Sequence, residues 1–237
     1  MALHRDVRIT YLGHATFLFR TPGGRFLLID PWVETNPVCP EQAKKLPGLD
    51  TVLITHGHSD HLGDTVSLAK RFKPRIGCIF EIALWLGGQG VENVIGLNKG
   101  GTVHLNDIRA TMVNAFHSSS IEQPDGSLAY GGEASGWIVE FENGFKIYHA
   151  GDTCLFGDMA WIGRKYRPEV AFLPIGDLYT MDPEQAAEAC RLLEVPYVVP
   201  MHYGTFPALT GRPETLVELL KGSSTQVIIL RPGESIE

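Results

Sequence analysis

A dense group of histidines with one aspartate lies in the first third of the chain. Three imidazoles and one carboxylate occur within six consecutive positions, at His56, His58, Asp60 and His61. In an extended loop the side chains of residues i and i+2 point to the same side, so His56 and His58 can bind one metal ion. Asp60 and His61 then turn the other way, toward a second ion. The spacing predicts a metal site, and the alternative interpretation is a solvated polar loop.

Three more potential ligands directly follow apolar segments that are typical of strands. They are His117 after residues 108–116, Asp152 after residues 145–148 and His202 after residues 197–201. Open sheets place their sites at such strand ends, and His56 likewise follows a short apolar segment. His117 or His202 alone is typical of a core or surface histidine, but beside the cluster we interpret each as a ligand. Four separated segments can therefore deliver ligands to one edge of the core.

The complete pattern resembles the metal-binding signature of the metallo-β-lactamase fold superfamily of hydrolases. It consists of His56-x-His58-x-Asp60-His61 followed by His117, Asp152 and His202. Three further sequence segments support the resemblance: Leu12-Gly13-His14-Ala15, Gly151-Asp152-Thr153 and Pro200-Met201-His202-Tyr203-Gly204-Thr205. Within the superfamily, the chain is similar to the small single-domain hydrolases of the ascorbate-6-phosphate lactonase-like branch. The resemblance covers nearly the whole chain, and it is specific for fold and metal site but not for substrate.

The resemblance implies a binuclear centre in which every ligand position is filled. It assigns His56, His58 and His117 to the first metal, Asp60, His61 and His202 to the second, and Asp152 to a bridging position between them. A shared carboxylate can hold two ions about 3.5–4 Å apart. All seven ligands are nitrogen or oxygen donors, a set compatible with Zn, Mn or Fe, of which Zn is preferred. We therefore expect two divalent metal ions per chain.

The implied chemistry is hydrolysis. A water between two metals loses a proton near neutral pH, and the metal-bound hydroxide attacks a carbonyl carbon or a phosphorus atom. Asp60 is placed to orient this nucleophile and to handle its proton. We expect cleavage of a small ester, lactone or phosphodiester. The alternatives are a metal-loaded binding or sensing protein without turnover and a nuclease-type phosphodiesterase.

Several neighbours of the ligands are further candidates for the site. His14 lies in a Gly-His-Ala stretch that resembles the lactonase-like branch, and we therefore consider it a candidate catalytic residue. Tyr203 directly follows the ligand His202 and is a second candidate. His149 is either a partner that orients a ligand or a buried histidine at a strand end. The segment 118–136 lacks periodicity and is either a loop over the active site or a disordered surface excursion.

The elements that must position these residues are strands in the first two thirds of the chain and alternating helices and strands after residue 155. The predicted strands are 7–12, 16–20, 25–29, 51–55, 75–79, 102–105, 108–115, 136–142, 145–149, 170–174, 197–200 and 226–230. The predicted helices are 62–72, 79–86, 155–165, 183–193 and 213–220. This order favours two facing sheets with helices outside, an α/β (α+β) fold. The resemblance makes it the four-layer αββα sandwich of two mixed β-sheets, with residues 1–237 as a single domain.

The charge balance narrows the class of substrate. The chain has 237 residues with 20 Lys and Arg against 27 Asp and Glu, a formal net charge of −7. A nucleic-acid binder usually carries a basic face, and the sequence shows none, so we expect no nucleic-acid partner. Two divalent ions add four positive charges, which gives an acidic protein a cationic site. We therefore expect a small, anionic substrate.

The cysteines and the start of the chain bear on location. The four cysteines form no CxxC pair, which is typical of reduced thiols. Residues 1–7 lack the features of a signal peptide, and no apolar run approaches the length of a membrane span, so we expect a cytoplasmic protein without a membrane partner. Relatives of this fold often self-associate, and the resemblance therefore implies a homo-oligomer.

Overall fold

The described backbone is built of short strands and six helices. The computed structural model describes residues 6–237. Its strands are β1 (Arg8–Gly13), β2 (Thr16–Arg20), β3 (Phe26–Ile29), β4 (Thr51–Leu53), β5 (Arg75–Ile79), β6 (Val94–Leu97), β7 (Thr102–Leu105), β8 (Ile108–Asn114), β9 (Ser120–Glu122), β10 (Leu128–Tyr130), β11 (Ser135–Glu140), β12 (Lys146–His149), β13 (Val170–Pro174), β14 (Tyr197–Met201), β15 (Gln226–Val227) and β16 (Ser235–Ile236). Its helices are α1 (Ser59–Leu62), α2 (Thr65–Phe72), α3 (Phe80–Gly88), α4 (Met159–Tyr166), α5 (Pro183–Leu193) and α6 (Pro213–Leu219).

Fourteen of the strands form two seven-stranded mixed sheets. The order is β16-β1-β2-β3-β4-β5-β6 in the first sheet and β15-β14-β13-β12-β11-β8-β7 in the second. In the first sheet, pairing changes from antiparallel to parallel at β3. In the second sheet it changes in the same way at β12. β9 and β10 pair only with each other, as a separate hairpin.

The two sheets face each other across an aromatic core. Phe17 of the first sheet and Phe172 of the second are buried, and their ring centroids are 4.5 Å apart. Phe19 and Phe141 meet in the same way, with centroids 5.8 Å apart. Burying such large apolar side chains between the sheets is the main force that holds them together. The Trp137 indole also crosses the gap, donating a hydrogen bond of 3.1 Å to the Ile54 carbonyl.

Helices cover the outer faces. A second apolar cluster lies under α4, α5 and α6 and includes Ile162, Cys190 and Leu216. The α3 helix packs against β5 and β6 of the first sheet. In the described part of the chain no helix is long and apolar enough to cross a membrane, and α5, with 11 residues, is the longest. Two mixed sheets with helices outside confirm the predicted fold class.

The differences from the predicted elements have local causes. The helix predicted over 62–72 begins only at Thr65, as α2, and Leu62 is the last residue of the preceding short helix α1, because Gly63 at φ 38° breaks the chain where the Trp32 backbone comes close. β4 ends at residue 53 because the Thr55 amide donates to the Asp30 carboxylate and not to a neighbouring strand. β6, β9, β10 and β16 were not predicted. Each has two to four residues, too few to show a periodicity.

We expect the Phe17 ring to account for a large share of the contact between the sheets. Phe17→Ala should lower the free energy of unfolding by about 3–5 kcal/mol, because it leaves a cavity in the core. Leu84→Ala is the control: this side chain on α3 is 63% exposed, and the change should cost less than about 0.5 kcal/mol. Urea titrations of both variants measure the difference. Equal midpoints would contradict the assigned role of Phe17.

Candidate metal centre

The chain from Ile54 to Leu62, the ligand loop, begins where β4 leaves the first sheet. It is held at its start from both sheets. The Thr55 amide and hydroxyl donate to the Asp30 carboxylate, each at 2.8 Å. The Ser135 amide and hydroxyl of the second sheet donate to the Thr55 carbonyl at 3.0 and 2.9 Å. Because Thr55 is fixed in this way, His56 and His58 emerge from a rigid base.

The seven residues predicted to bind metal come together at one edge of the two sheets. Asp152 lies at their centre. Its Oδ2 atom is 2.9 Å from His202 Nε2, 3.6 Å from His117 Nε2 and 4.0 Å from His56 Nε2. Its Oδ1 atom is 3.3 Å from His61 Nε2. Histidines from three separate segments therefore surround one carboxylate.

The donor atoms of the site form three overlapping groups, in each of which all atoms lie within 4.8 Å of one another. The groups are His56, His58 and His117; His14, Asp60, His61 and His202; and His56, His61 and Asp152. The first two groups contain the two sets of three residues that the sequence predicts for two separate ions. His14 is an addition to the second set. The group with Asp152 takes one histidine from each of them.

His14 is placed beside Asp60. It occupies the turn between β1 and β2 with φ 61°, a left-handed conformation that aims its ring into the site. Its Nε2 atom is 2.9 Å from Asp60 Oδ2, and its Nδ1 atom is 3.0 Å from the Thr205 hydroxyl. Burial, together with the nearby His202, lowers the pKa of His14 to about 4. His14 is therefore neutral at pH 7 and has one ring proton to donate.

The electrostatics of the site suit a bound cation. Burial opposes ionisation of Asp152, but the imidazoles of His202 and His61 outweigh it and hold its pKa well below the usual range. Burial moves the pKa of His56 far below the ordinary value, so its ring keeps a free lone pair. Among the buried atoms without a hydrogen-bond partner in residues 6–237 are His61 Nε2 and Asp152 Oδ1. A divalent ion would satisfy both atoms, so the residues fit a metal.

Asp30 is a functional residue absent from the predicted set. It is fully buried at the end of β3, and its Oδ2 atom is 2.8 Å from His61 Nδ1. Burial alone would lower the pKa of His61, but the carboxylates of Asp152, Asp30 and Asp60 outweigh it and raise the pKa. A carboxylate behind a ligating histidine fixes the ring orientation. The sequence feature that could have indicated Asp30 is its position directly after the apolar strand Phe26–Ile29, as His202 directly follows Tyr197–Met201.

His149 and Tyr203 have other surroundings. His149 Nε2 is 2.9 Å from the Ala15 carbonyl, and the Gly151 amide donates to His149 Nδ1 at 3.2 Å. It is thus a buried, hydrogen-bonded histidine at a strand end, which supports the turn before Asp152. Tyr203 does not line the cavity at the site but packs against the apolar cluster under the outer helices. Its phenol, with a pKa raised by burial and by Glu214, is not positioned to reach a substrate there.

The segment 118–136 lies over the site. It contains the β9–β10 hairpin, so it is ordered where the sequence showed no periodicity. The Ser118 hydroxyl is 3.3 Å from His58 Nε2, and the Ser119 hydroxyl accepts a hydrogen bond of 3.1 Å from the Gly57 amide. A cavity of about 430 Å³ separates this segment from Tyr179 and Phe206 on the other side. Its floor is formed by the metal-site residues His58, Asp60, His117, Asp152 and His202.

Comparisons with known proteins show the family. Residues 25–203 match the family described as the β-lactamase superfamily domain, and the chain belongs to this superfamily. It is 51% identical over 231 residues to a UPF0173 metal-dependent hydrolase of Rubrobacter xylanophilus, covering 97% of this chain and 96% of the relative. The UPF0173 metal-dependent hydrolase Acid345_3437 of Koribacter versatilis is also 51% identical over 231 residues, with 98% of each chain covered.

A solved structure agrees in fold and in class. Igni18, a metallo hydrolase from Ignicoccus hospitalis, is 36% identical, with a TM-score of 0.85 over 97% of each chain. With the relatives and the His/Asp cluster, this makes the protein a metal-dependent hydrolase.

Asp30→Asn tests the carboxylate behind His61. The amide has one oxygen and one NH2 group, and the NH2 group would face either the Thr55 amide or the pair formed by the Thr55 hydroxyl and His61, so the variant cannot accept all three hydrogen bonds that Asp30 accepts. We expect metal affinity to fall by about 10- to 100-fold. Asp50→Asn is the control, because Asp50 accepts from the Phe26 amide at the opposite end of β3. Competition with a chromophoric chelator measures both variants, and equal affinities would contradict the role of Asp30.

Gly57→Ala tests the contact between the ligand loop and the hairpin. An added Cβ would lie 2.8 Å from Ile121 Cγ1 and 3.0 Å from the Ser120 carbonyl. We expect a loss of about 1–3 kcal/mol in the free energy of unfolding, because the hairpin must shift. Gly87→Ala in α3, where a Cβ meets nothing within 4 Å, should be neutral or stabilising by up to about 1 kcal/mol. Urea titrations compare the two, and a neutral Gly57→Ala would disprove close packing.

Proposed function

We propose that the protein is a binuclear metal-dependent hydrolase of small esters, lactones or phosphodiesters. The observation that carries this proposal is the Asp152 carboxylate, which has ring nitrogens of four histidines within 4.0 Å. A carboxylate at this position can be shared by two ions, each with its own set of donors. One set is His56, His58 and His117, and the other is Asp60, His61 and His202. Zn is the preferred ion, and Mn or Fe also suits these donors.

Access from solvent favours an enzyme over a binding or sensing protein. Structural metal sites are closed by their ligands, whereas catalytic sites keep an open position. Here the side chains of Asp60 and His117 are 24% and 14% exposed, and both line the cavity. A small molecule entering the cavity can therefore reach the donor atoms. The proposed substrate is a small molecule because the cavity volume, about 430 Å³, is within the range of small-ligand sites.

The residues of the chain would position the reacting groups. When bound, two divalent ions supply an acidified water and polarise the bond under attack. Burial opposes ionisation of Asp60, but His61 and His14 hold its pKa below the usual range, so it stays ionised and can accept a hydrogen bond from the nucleophile. Because Asp60 only accepts, His14 donates from Nε2, and the Thr205 hydroxyl donates to His14 Nδ1. His14 is thus a positioning residue for Asp60.

Metal content and turnover of Asp152→Ala test the shared carboxylate. Chelator-treated wild-type protein, reconstituted with Zn²⁺ or Mn²⁺, should bind two ions per chain and hydrolyse phenyl acetate, a sugar lactone or bis(4-nitrophenyl) phosphate. Asp152→Ala should lose occupancy of both sites and at least about 100-fold in turnover, because both ions lose a common ligand.

Asp158→Ala, an exposed carboxylate just before α4, is the matched control and should keep both properties. Elemental analysis gives the metal content, and initial rates give the turnover. Two tightly held ions in Asp152→Ala would refute the shared position. Two ions in the wild type without hydrolysis of any substrate class would favour the binding or sensing protein.

A further inference from the structure

The walls of the cavity differ in character from its floor. The floor consists of the histidines and aspartates of the metal site. The walls are Ser118, Ser120, Glu122 and Leu128 on one side and Tyr179 and Phe206 on the other. Among residues 6–237, no Lys or Arg lines this cavity, and none lines the adjoining cavity of about 610 Å³ that shares Tyr179 and Phe206. The walls therefore offer apolar contacts, hydroxyl groups and one carboxylate, but no cationic group.

The hairpin presents that carboxylate beside an apolar side chain. Glu122 of β9 is directly opposite Leu128 of β10, and cross-strand partners lie on the same face of a hairpin. Ile121, on the other face, is only 2% exposed and belongs to the main core. Because Ile121 is anchored and the Ser119 hydroxyl accepts from Gly57, the face with Glu122 and Leu128 stays turned to the cavity.

The opposite wall is aromatic and is also held in place. The Phe206 ring packs against Trp32, with centroids 5.9 Å apart, and against His14 at 5.6 Å. Tyr179 lies in a tight turn whose last residue, Met181, donates from its amide to the Thr153 carbonyl at 3.1 Å. Thr153 directly follows Asp152. The Phe206 ring and the backbone turn that carries Tyr179 are thus fixed relative to the metal site, and Tyr179 and Phe206 are 57% and 38% exposed.

We infer that the substrate is an uncharged ester or lactone whose apolar group packs between Leu128 and the pair Tyr179 and Phe206, with Glu122 excluding anions. This inference rests on the proposed hydrolase and narrows its substrate class. The positive charge of bound metals acts at the floor, on the bond to be cleaved. An anionic group elsewhere in the substrate would meet apolar surface and the Glu122 carboxylate, without a cation to pair with. The expected anionic substrate is therefore replaced by a neutral one, and phosphodiesters become the less suitable class.

A matched series of aryl acetates tests the inference. Phenyl acetate, 4-acetoxybenzoate and 4-acetoxy-N,N,N-trimethylanilinium place zero, negative and positive charge at the same distance from the scissile bond. Each value of kcat/KM is divided by the rate constant for hydroxide-catalysed hydrolysis of the same ester, which removes the difference in leaving group. With metal-loaded protein, the corrected value should be at least about fivefold higher for phenyl acetate than for the benzoate, as expected for one charge close to a carboxylate in water.

Glu122 is tested by changing its charge. Glu122→Lys should raise the ratio of the corrected kcat/KM for 4-acetoxybenzoate to that for phenyl acetate by about tenfold, because the charge of the side chain acts on the anionic ester only. Glu92→Lys makes the same charge change at an exposed glutamate between α3 and β6 that does not line the cavity. This control variant should leave the ratio unchanged.

The apolar wall has its own pair of variants on one hairpin. Leu128→Ala should raise KM for phenyl acetate by about three- to tenfold, because it removes part of an apolar contact surface. Tyr130→Ala changes a side chain of the same strand that is about equally exposed, 71% against 69% for Leu128, but does not line the cavity, and it should leave KM within about twofold. Equal effects of the two variants would assign the loss to hairpin stability and overturn the role of Leu128.

Binding of uncleaved analogues separates this inference from the proposed function. Acetanilide and 4-acetamidobenzoate repeat the neutral and anionic pair as amides, and NMR titration of metal-loaded wild type and Glu122→Lys gives their Kd values. In one outcome no ester is hydrolysed, acetanilide binds at least about fivefold more tightly than 4-acetamidobenzoate, and Glu122→Lys removes this preference. The proposed hydrolase is then rejected, but the preference of the cavity for neutral ligands is supported. In the other outcome esters are hydrolysed, but the anionic ester is preferred or Glu122→Lys has no more effect than Glu92→Lys. The proposed hydrolase is then supported, and the inference of a neutral substrate is overturned.

Discussion

The buried carboxylate of Asp30 is the interaction on which the site depends. It accepts hydrogen bonds from the Thr55 amide and hydroxyl and from the His61 ring, so one side chain fixes both ends of the ligand loop. A buried charge is tolerated only when it is paired and fully hydrogen-bonded, and these three partners meet that condition. The Ser135 contacts to the Thr55 carbonyl then tie the loop to the second sheet. The two sheets therefore hold the site in register.

The sheet topology explains why Asp30 and Asp152 have comparable positions. Each follows the strand at which pairing changes from antiparallel to parallel, β3 in the first sheet and β12 in the second. At both positions the chain leaves the carboxyl end of a strand, and in open α/β sheets ligands bind outside the carboxyl ends of the strands. Asp30 holds the ligand loop through hydrogen bonds, and Asp152 is surrounded by histidines from both halves of the chain. The candidate metal centre is thus a consequence of two similar sheet edges that meet.

Much of the fold and most of the donor cluster could be predicted, because periodicity and strand-end position are local signals. His56, His117 and His202 each follow an apolar strand, and the structure brings them together. Tyr203 was selected as the neighbour of His202, but β14 ends at Met201 and His202 takes a left-handed conformation with φ 57°, and beyond this bend Tyr203 packs against the apolar cluster under the outer helices. Asp30 was missed because one acidic residue before Pro31 is also typical of a turn. The hairpin has three-residue strands with a single buried anchor, too short for a pattern.

Rigidity at the base of the hairpin has a consequence for specificity. Gly57 leaves just enough space for Ile121 and the Ser120 carbonyl, so the ligand loop and the hairpin cannot move independently. The alternating geometry of the strand then gives neighbouring residues different surroundings, because Ile121 is buried and anchors the hairpin while Glu122 lines the cavity. Substitutions on the face of the hairpin that carries Glu122 and Leu128 change the charge and shape of the cavity wall. They do not disturb the metal-site side chains at the floor of the cavity. A metal-dependent hydrolase built in this way can acquire new substrates through a few exposed side chains while its metal chemistry stays the same.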